Sequence, residues 1–197
     1  MRGRWALVGL VAALGLALLA PALLQPYFVG LLTRVLVFAI FAMGLNLLMG
    51  YSGLPSLGQA AYLATGAYTV GILVKKVGIG YFPASLAGVG MAGLLGAAFG
   101  LIALRARGAS FLMITLALTQ AVWAIAFTWR SLTGGDDGFP NVGRPDLGFL
   151  PWSLTDTRAF YYFVLAFFLA TLGAFHVIVR SPFGLALQGI RDNELRM

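Results

Sequence analysis

Ser52 and His176 are the residues of this sequence whose types could form a nucleophile and its base. Ser52 lies between glycines in the stretch Gly50-Tyr51-Ser52-Gly53, and His176 is the single histidine of the chain. A serine hydroxyl becomes a strong nucleophile when a neighbouring base takes its proton, and histidine is the side chain most often used as that base. The membrane segments described below put both residues near one membrane face, which is compatible with a dyad.

The pair resembles intramembrane serine proteases of the rhomboid type, which carry a GxSG motif and a histidine on the last of six helices. The order of the parts differs. Ser52 precedes the third predicted helix, whereas the rhomboid serine begins the fourth, and Trp129-Arg130 follows Ser52 where the rhomboid Trp-Arg loop comes before the serine. His176 also lies close to the predicted membrane edge, where a histidine is common. A Ser52/His176 protease is the weaker alternative, and a non-catalytic membrane scaffold is another.

Uncharged polar side chains within apolar segments are the second group that could act on a solute. In lipid, such groups either bond to neighbouring helices or line a solute path, and both interpretations stay open for each of them. Because no charged residue lies deep in a segment, a path lined by these groups suits a neutral or zwitterionic solute. The candidate translocation path consists of Asn46, Ser56, Gln59, Tyr62, Thr69, Thr115, Thr119 and Gln120.

The composition requires lipid as the solvent for most of the chain. Of the 197 residues, 60% are hydrophobic and only 10% are charged, whereas soluble domains contain about 25% charged residues. The chain has no cysteine, one histidine and six carboxylates, which leaves little material for a metal site or a disulfide. The net charge of +7 comes from scattered basic residues that mark helix ends, so we expect no nucleic-acid partner.

Six segments have the length and apolar character of a membrane-spanning helix, which predicts an all-α, polytopic membrane bundle. A polar loop at residues 130–158 separates the last two. Residues 50–59, GYSGLPSLGQ, are termed the interruption, and we expect Pro55 and Ser56 in it to begin the third helix. The predicted helices cover approximately residues 5–24, 31–49, 56–74, 82–104, 111–129 and 160–179.

Small residues four positions apart predict close packing of the third and fourth helices. Such pairs let two backbones approach each other in lipid, where no hydrophobic drive brings helices together. The pairs are Ala60 with Ala64, Ala67 with Gly71, and Gly96 with Gly100.

The distribution of basic residues favours a cytoplasmic N-terminus only slightly. With six crossings, both termini lie on one side, and the 13 Lys and Arg residues divide into seven on that side and six on the other. Lys and Arg are enriched in cytoplasmic loops. Residues 130–158 would then form an extracytoplasmic loop.

Four stretches, in this order and at natural spacing, resemble the membrane subunit of branched-chain amino-acid ABC importers of the LivM type. Each stretch alone is a weak signal, but the four together are specific, and the resemblance extends from about Val35 to the C-terminus. The stretches are LNLLMGYSGLPSLGQAAYLATGAYT (residues 45–69), LRARGASFLMITLALTQ (104–120), WRSLTGGDDGFPNV (129–142) and RSPFGLALQGIRDNE (180–194).

The resemblance implies a permease in a bacterial inner membrane with a cytoplasmic N-terminus, working by alternating access. Its implied partners are a second, LivH-like permease, two cytoplasmic ATP-binding subunits, a periplasmic solute-binding protein and membrane lipid. The chain itself would hold no cofactor, because ATP is used on the partner subunits. Relatives of this family carry branched-chain amino acids, other amino acids, amides or urea, so the resemblance leaves the solute open.

The resemblance also assigns roles to two short segments. Residues 181–197 would form a cytoplasmic coupling helix that fits a cleft on the ATPase, and Asp136 and Asp137 in the TGGDDG loop would face the docked binding protein. Family members continue for roughly a hundred residues beyond the position of Met197, so we expect the sequence to be the N-terminal part of a longer family fold. The implied coupling residues are Phe183, Gly184, Ile190, Arg191, Asp192 and Glu194.

Overall fold

The computed structural model of the chain describes residues 14–106, 108–139, 143 and 154–192. The chain divides into two compact units, which are described separately here. The first unit contains Met1–Met43 and Leu150–Val177, and the second contains Gly44–Phe149 and Ile178–Met197.

The described ranges consist of helices joined by short loops. This is the secondary structure that lipid favours, because a helix satisfies its own backbone N–H and C=O groups. Two π-helical turns, Leu47–Tyr51 and Leu73–Val77, extend α2 and α3, and a 3₁₀ turn, Gly135–Asp137, follows α6. The α-helices are α1 (Leu14–Leu23), α2 (Pro26–Asn46), α3 (Gln59–Ile72), α4 (Tyr81–Ala103), α5 (Ala109–Thr128), α6 (Arg130–Thr133), α7 (Thr157–Arg180) and α8 (Pro182–Asp192).

The core of the first unit lies where α7 packs on α1 and α2. Val29, Tyr161 and Leu165 are almost fully buried there. The Tyr161 hydroxyl donates a hydrogen bond of 2.8 Å to the carbonyl oxygen of Ala17. That oxygen would ordinarily accept from the N–H of residue 21, but residue 21 is a proline without an N–H. Tyr161 therefore supplies the donor that the proline removes.

The closest helix crossing of the second unit joins α3 to α4. A Cβ atom added at Gly88 would lie 3.0 Å from the carbonyl oxygen of Gly66 and 2.9 Å from Cγ2 of Val70. The prediction of close α3–α4 packing through small residues is therefore right, but the contact uses Gly66 and Gly88. A Cβ atom at Gly96 would touch only the Tyr62 ring, at 3.9 Å, and one at Gly100 only Leu104 of its own chain segment, at 3.8 Å.

Within the residues that the structure describes, four helices are long and apolar enough to cross a membrane, which confirms the prediction of an all-α polytopic membrane protein. They are Pro26–Tyr51, Tyr81–Ala103, Ala109–Thr128 and Thr157–Arg180. With its π turn, α3 reaches from Gln59 to Val77, or about 28 Å at 1.5 Å per residue, close to the thickness of a hydrocarbon core. The part of α1 that is described, Leu14–Leu23, is shorter.

The start of the second predicted helix differs from the structure by five residues. The segment predicted as 31–49 begins at Pro26, because proline at the first helical position has a suitable φ and needs no N–H partner. The third helix begins at Gln59, three positions after the predicted Ser56. Ser56 does not cap α3, since its hydroxyl oxygen accepts instead from the N–H of Gly58, at 3.1 Å.

Candidate functional site

A sharp corner joins α7 to α8, and its sequence explains it. Ser181 caps α8, because its Oγ accepts from the Gly184 N–H at 3.3 Å, and Pro182 occupies the first helical position. A Cβ atom added at Gly184 would lie 2.4 Å from the Val179 carbonyl oxygen and 2.5 Å from that of Ile178. Only glycine therefore fits this corner without opening it.

The end of α8 packs against the interruption. Arg191 donates from Nη1 to the carbonyl oxygen of Gly50 at 2.6 Å, across 141 residues of sequence. A Cβ atom added at Gly53 would lie 2.4 Å from Arg191 Cγ, so the arginine stem lies directly on that glycine. Gly53 has a φ of 68°, a conformation that glycine adopts without strain. Gly53 thus lets α8 approach the backbone of the interruption.

The predicted coupling residues have different positions on α8. Phe183 is 62% exposed and Ile190 is 45% exposed, so both leave apolar surface for a partner. Gly184 is buried at the corner, and exposed Asp192 accepts from Nε of Arg191 at 3.3 Å. Glu194 lies outside the described residues.

The non-helical backbone of the interruption is hydrogen-bonded to α5. The N–H of Leu57 donates to Thr115 Oγ1 at 3.2 Å. The Thr119 hydroxyl has one proton to donate, and it lies 3.1 Å from the Leu57 carbonyl oxygen and 2.8 Å from the Thr115 carbonyl oxygen of its own helix, so these two acceptors share the proton. Thr115 is 2% exposed. Two threonines one helical turn apart thus contact both backbone groups of one residue, which suits a non-helical backbone that needs protein partners in lipid.

The first cavity lies between the interruption, α8 and the loop that joins α4 to α5. It has a volume of about 870 Å³, and two of the predicted path residues, Gln59 and Tyr62, line it. Arg191 and Asp192 also border it. The rest of the lining is largely apolar, so the cavity places few polar groups in an apolar wall, as small-molecule sites do.

The second cavity lies between α3 and α5 and has a volume of about 700 Å³. Thr119 and Gln120 line it, together with Asp136 from the 3₁₀ turn. Small α3 residues form part of its wall, including Ala60 and Ala64. These alanines, predicted as helix-packing residues, here leave space.

The remaining predicted path residues border neither cavity. Asn46 is exposed, and its Oδ1 would lie 2.3 Å from a Cβ atom added at Gly50. Thr69 donates to the Thr65 carbonyl oxygen of its own helix at 2.7 Å. Ser56 and Thr115 are buried. Their hydroxyl groups take part in the hydrogen bonds to Gly58 and Leu57 described above. Contact with a solute stays a prediction for all eight path residues.

The TGGDDG loop is an ordered structure fixed to the far end of α3. Lys76 donates to the Ser131 carbonyl oxygen, and the Phe139 ring packs on Gly71, where an added Cβ atom would lie 3.1 Å from Cδ2 of that ring. Asp136 and Asp137 are exposed at its tip. Because α8 packs near the start of α3, the loop and α8 lie at opposite ends of this helix.

Ser52 does not show the hydrogen bond of an activated nucleophile. Its hydroxyl donates to the Leu47 carbonyl oxygen at 3.3 Å, inside its own turn. His176 lies on α7 and is exposed. The serine therefore stabilises the end of α2. The long-range hydrogen bonds of this region are made by the backbone groups of Leu57 and Gly50, which the sequence analysis did not identify. Pro55 and the Thr115/Thr119 pair were the available signals for them.

Comparisons with known proteins identify the family. A family described as the permease component of branched-chain amino acid transport systems matches residues 27–196. The high-affinity branched-chain amino acid transport system permease protein LivM of Escherichia coli (strain K12) is 30% identical over 211 residues, covering 94% of this chain and 49% of that protein. LivM of Salmonella typhimurium (strain LT2) is 28% identical with the same coverage. The chain thus spans about half the length of these curated relatives, and no solved structure matches it. The chain belongs to the family of permease components of branched-chain amino acid transport systems.

Proposed function

We propose that the chain forms part of the membrane permease of an ATP-driven importer for branched-chain or related amino acids. The observation that carries the proposal is the family match over residues 27–196, which includes α8 and the interruption on which it packs. Gln59 and Tyr62 in the wall of the first cavity offer uncharged hydrogen-bonding groups, and Arg191 and Asp192 beside them carry opposite charges, which together support a zwitterionic solute.

In this proposal, the chain pairs with a second, LivH-like permease, and the solute passes between the two by alternating access. Two ATP-binding subunits bind the apolar side chains that α8 exposes, Phe183 and Ile190. A solute-binding protein docks near Asp136 and Asp137 on the other side. ATP is hydrolysed on the partner subunits, so the chain itself needs no cofactor.

The proposed location is a bacterial inner membrane with a cytoplasmic N-terminus. The positions of α8 and the TGGDDG loop at opposite ends of α3 support this orientation, because the proposal assigns the ATPase to α8 and the binding protein to the loop. The chain contains no cysteine, so single cysteines can report the orientation. Asp137→Cys should react with an impermeant maleimide added to intact cells, and Asp192→Cys should react only after permeabilisation. The reverse pattern would invert the proposed topology.

The function is tested by reconstitution. The chain is co-expressed with the second permease, the ATP-binding subunits and the binding protein, and uptake of radiolabelled leucine into proteoliposomes is measured with and without ATP. Unlabelled valine, isoleucine and urea serve as competitors to identify the solute class. ATP-dependent leucine uptake is expected. Failure of the ATP-binding subunits to co-purify, together with no uptake of any of these solutes, would reject the proposal.

A matched pair of variants tests the ATPase contact. Phe183 and Val89 are both exposed apolar residues, at 62% and 73%, but Val89 lies on α4. Phe183→Ala should reduce co-purification of the ATP-binding subunits, and Val89→Ala should leave it unchanged. Equal retention of these subunits by both variants would place the ATPase elsewhere.

A further inference from the structure

The carbonyl oxygen of Gly50 is left without a backbone partner by the sequence of the interruption. In the π-helical turn that ends α2, its donor would be the N–H of residue 55, which is a proline. The N–H of Leu54 is already used, because it donates to the Leu48 carbonyl oxygen at 3.1 Å. Arg191 fills the vacant position with a charge-assisted hydrogen bond of 2.6 Å.

The contact with Arg191 is steric as well as polar. The arginine Cγ lies too close to position 53 for a Cβ atom there, since an added Cβ would be 2.4 Å from it. Gly53, with its φ of 68°, begins the non-helical segment that leads to Leu57. A movement of the arginine stem therefore changes the space available to the start of this segment.

The other end of the same segment is fixed to α5 at the second cavity. Leu57 is held through its N–H and its carbonyl oxygen by Thr115 and Thr119. Thr119 and its neighbour Gln120 form part of the wall of the second cavity. The segment thus runs from a contact with α8 to a contact with the cavity wall.

We propose that Arg191 is a positioning residue that links α8 to the second cavity through the interruption. The inference rests on the proposed function, in which an ATP-binding subunit binds α8, and it adds that this subunit moves α8 and that the second cavity, lined by the predicted path residues Thr119 and Gln120, belongs to the solute path. When α8 moves away, Gly50 loses its only long-range donor among the described residues, and the segment shifts Leu57 against Thr119. The shape of the cavity at Gln120 then depends on the position of α8.

The test reads the cavity directly and needs no transport. Gln120→Cys is introduced into the otherwise cysteine-free chain, and its rate of reaction with N-ethylmaleimide is measured in the full chain in nanodiscs. Val77→Cys serves as the control reporter, because Val77 is 59% exposed at the other end of α3 and borders neither cavity.

The variants separate the hydrogen bond from the ion pair of α8. Arg191→Ala should change the reaction rate of Gln120→Cys by about fivefold or more, the lower end of ordinary coupling between two sites. Arg191→Lys keeps a cationic donor for Gly50 and should restore the rate. Asp192→Asn removes the neighbouring ion pair but leaves the Gly50 contact, and should have no effect. Where Arg191→Ala fails to fold, Arg191→Met, which keeps the side-chain stem but has no donor, replaces it under the same criteria.

The route through Leu57 has its own test. Thr119→Val removes the hydroxyl that donates to the Leu57 carbonyl oxygen, so the effect of Arg191→Ala on Gln120→Cys should be lost in this background. An undiminished effect would overturn the proposed route. A rate for Arg191→Ala within about twofold of that for Asp192→Asn would overturn the link itself. An equal change at Val77→Cys would also overturn it, because the variant would then loosen the whole unit. None of these outcomes depends on uptake, so they leave the proposed function to its own test.

Discussion

Replacement of Gly88 by alanine should weaken the packing of α3 against α4. The new Cβ atom would lie 2.9 Å from Val70 Cγ2 and 3.0 Å from the Gly66 carbonyl oxygen, whereas carbon atoms pack best at about 3.5–4.0 Å. The valine methyl group can move by a rotation of its side chain. The carbonyl oxygen belongs to a helix backbone, so the two helices must separate by a few tenths of an ångström.

The magnitude follows from two opposing terms. Overpacking of a well-packed contact costs about 1–3 kcal/mol, and alanine is about 1 kcal/mol more favourable than glycine in a helix interior. The net effect of Gly88→Ala is therefore a loss of about 0–2 kcal/mol in the free energy of unfolding. Gly90 is the matched control, because it lies on the same helix and a Cβ atom there would meet nothing within 4 Å.

The assay is the unfolding of the purified chain in mixed micelles, titrated with a denaturing detergent and followed by circular dichroism. Gly90→Ala keeps only the favourable propensity term, so the two variants should differ by about 1–3 kcal/mol, with Gly88→Ala the less stable. A Gly88→Ala chain as stable as the Gly90→Ala chain would show that α3 and α4 do not cross at this glycine.

Three further predictions concern other contacts. Gly184→Ala should open the α7–α8 corner and reduce co-purification of ATP-binding subunits in the reconstitution assay. Gly173→Ala is the control and should have no such effect, because a Cβ atom there meets nothing within 4 Å. Equal retention of the subunits by both variants would contradict the corner geometry. Tyr161→Phe should lower the free energy of unfolding by about 0.6–1.7 kcal/mol, the range for hydrogen bonds in membrane proteins. Tyr162→Phe, at a more exposed tyrosine, should cost less, and the opposite order would refute the buried bond. Thr115→Val leaves the Leu57 N–H without its acceptor and should speed the hydrogen exchange of that amide, measured by NMR; an unchanged rate would argue against the bond.

Much of the fold follows from the sequence, because hydropathy and segment length reflect the cost of placing backbone and charge in lipid. They predict α4 as 82–104 and α5 as 111–129, within about two residues of the observed bounds. The family resemblance, carried by four stretches in order, agrees with the family that matches residues 27–196. Length and hydropathy are local properties, so each stretch of sequence can be assessed without knowing the rest of the fold.

The contacts between helices could not be predicted in the same way. Spacing identifies Gly96 and Gly100 as a small pair, but the rotation of α4 decides which face meets α3, and Gly88 is the residue that does so. The bond from Arg191 to Gly50 joins positions 141 residues apart. Pro55 indicates which carbonyl lacks a donor, but only the folded chain determines which side chain provides one.

The bond between Tyr161 and Ala17 has a consequence for the synthesis of the protein. The two residues are 144 positions apart, so at about 5–20 residues per second the ribosome reaches the tyrosine roughly 7–30 s after the alanine. During that interval, Pro21 leaves the Ala17 carbonyl without its helical donor, and α7 does not yet exist. We therefore expect newly made α1 to keep this oxygen in contact with water, lipid head groups, a neighbouring helix or the insertion machinery until α7 provides the Tyr161 hydroxyl.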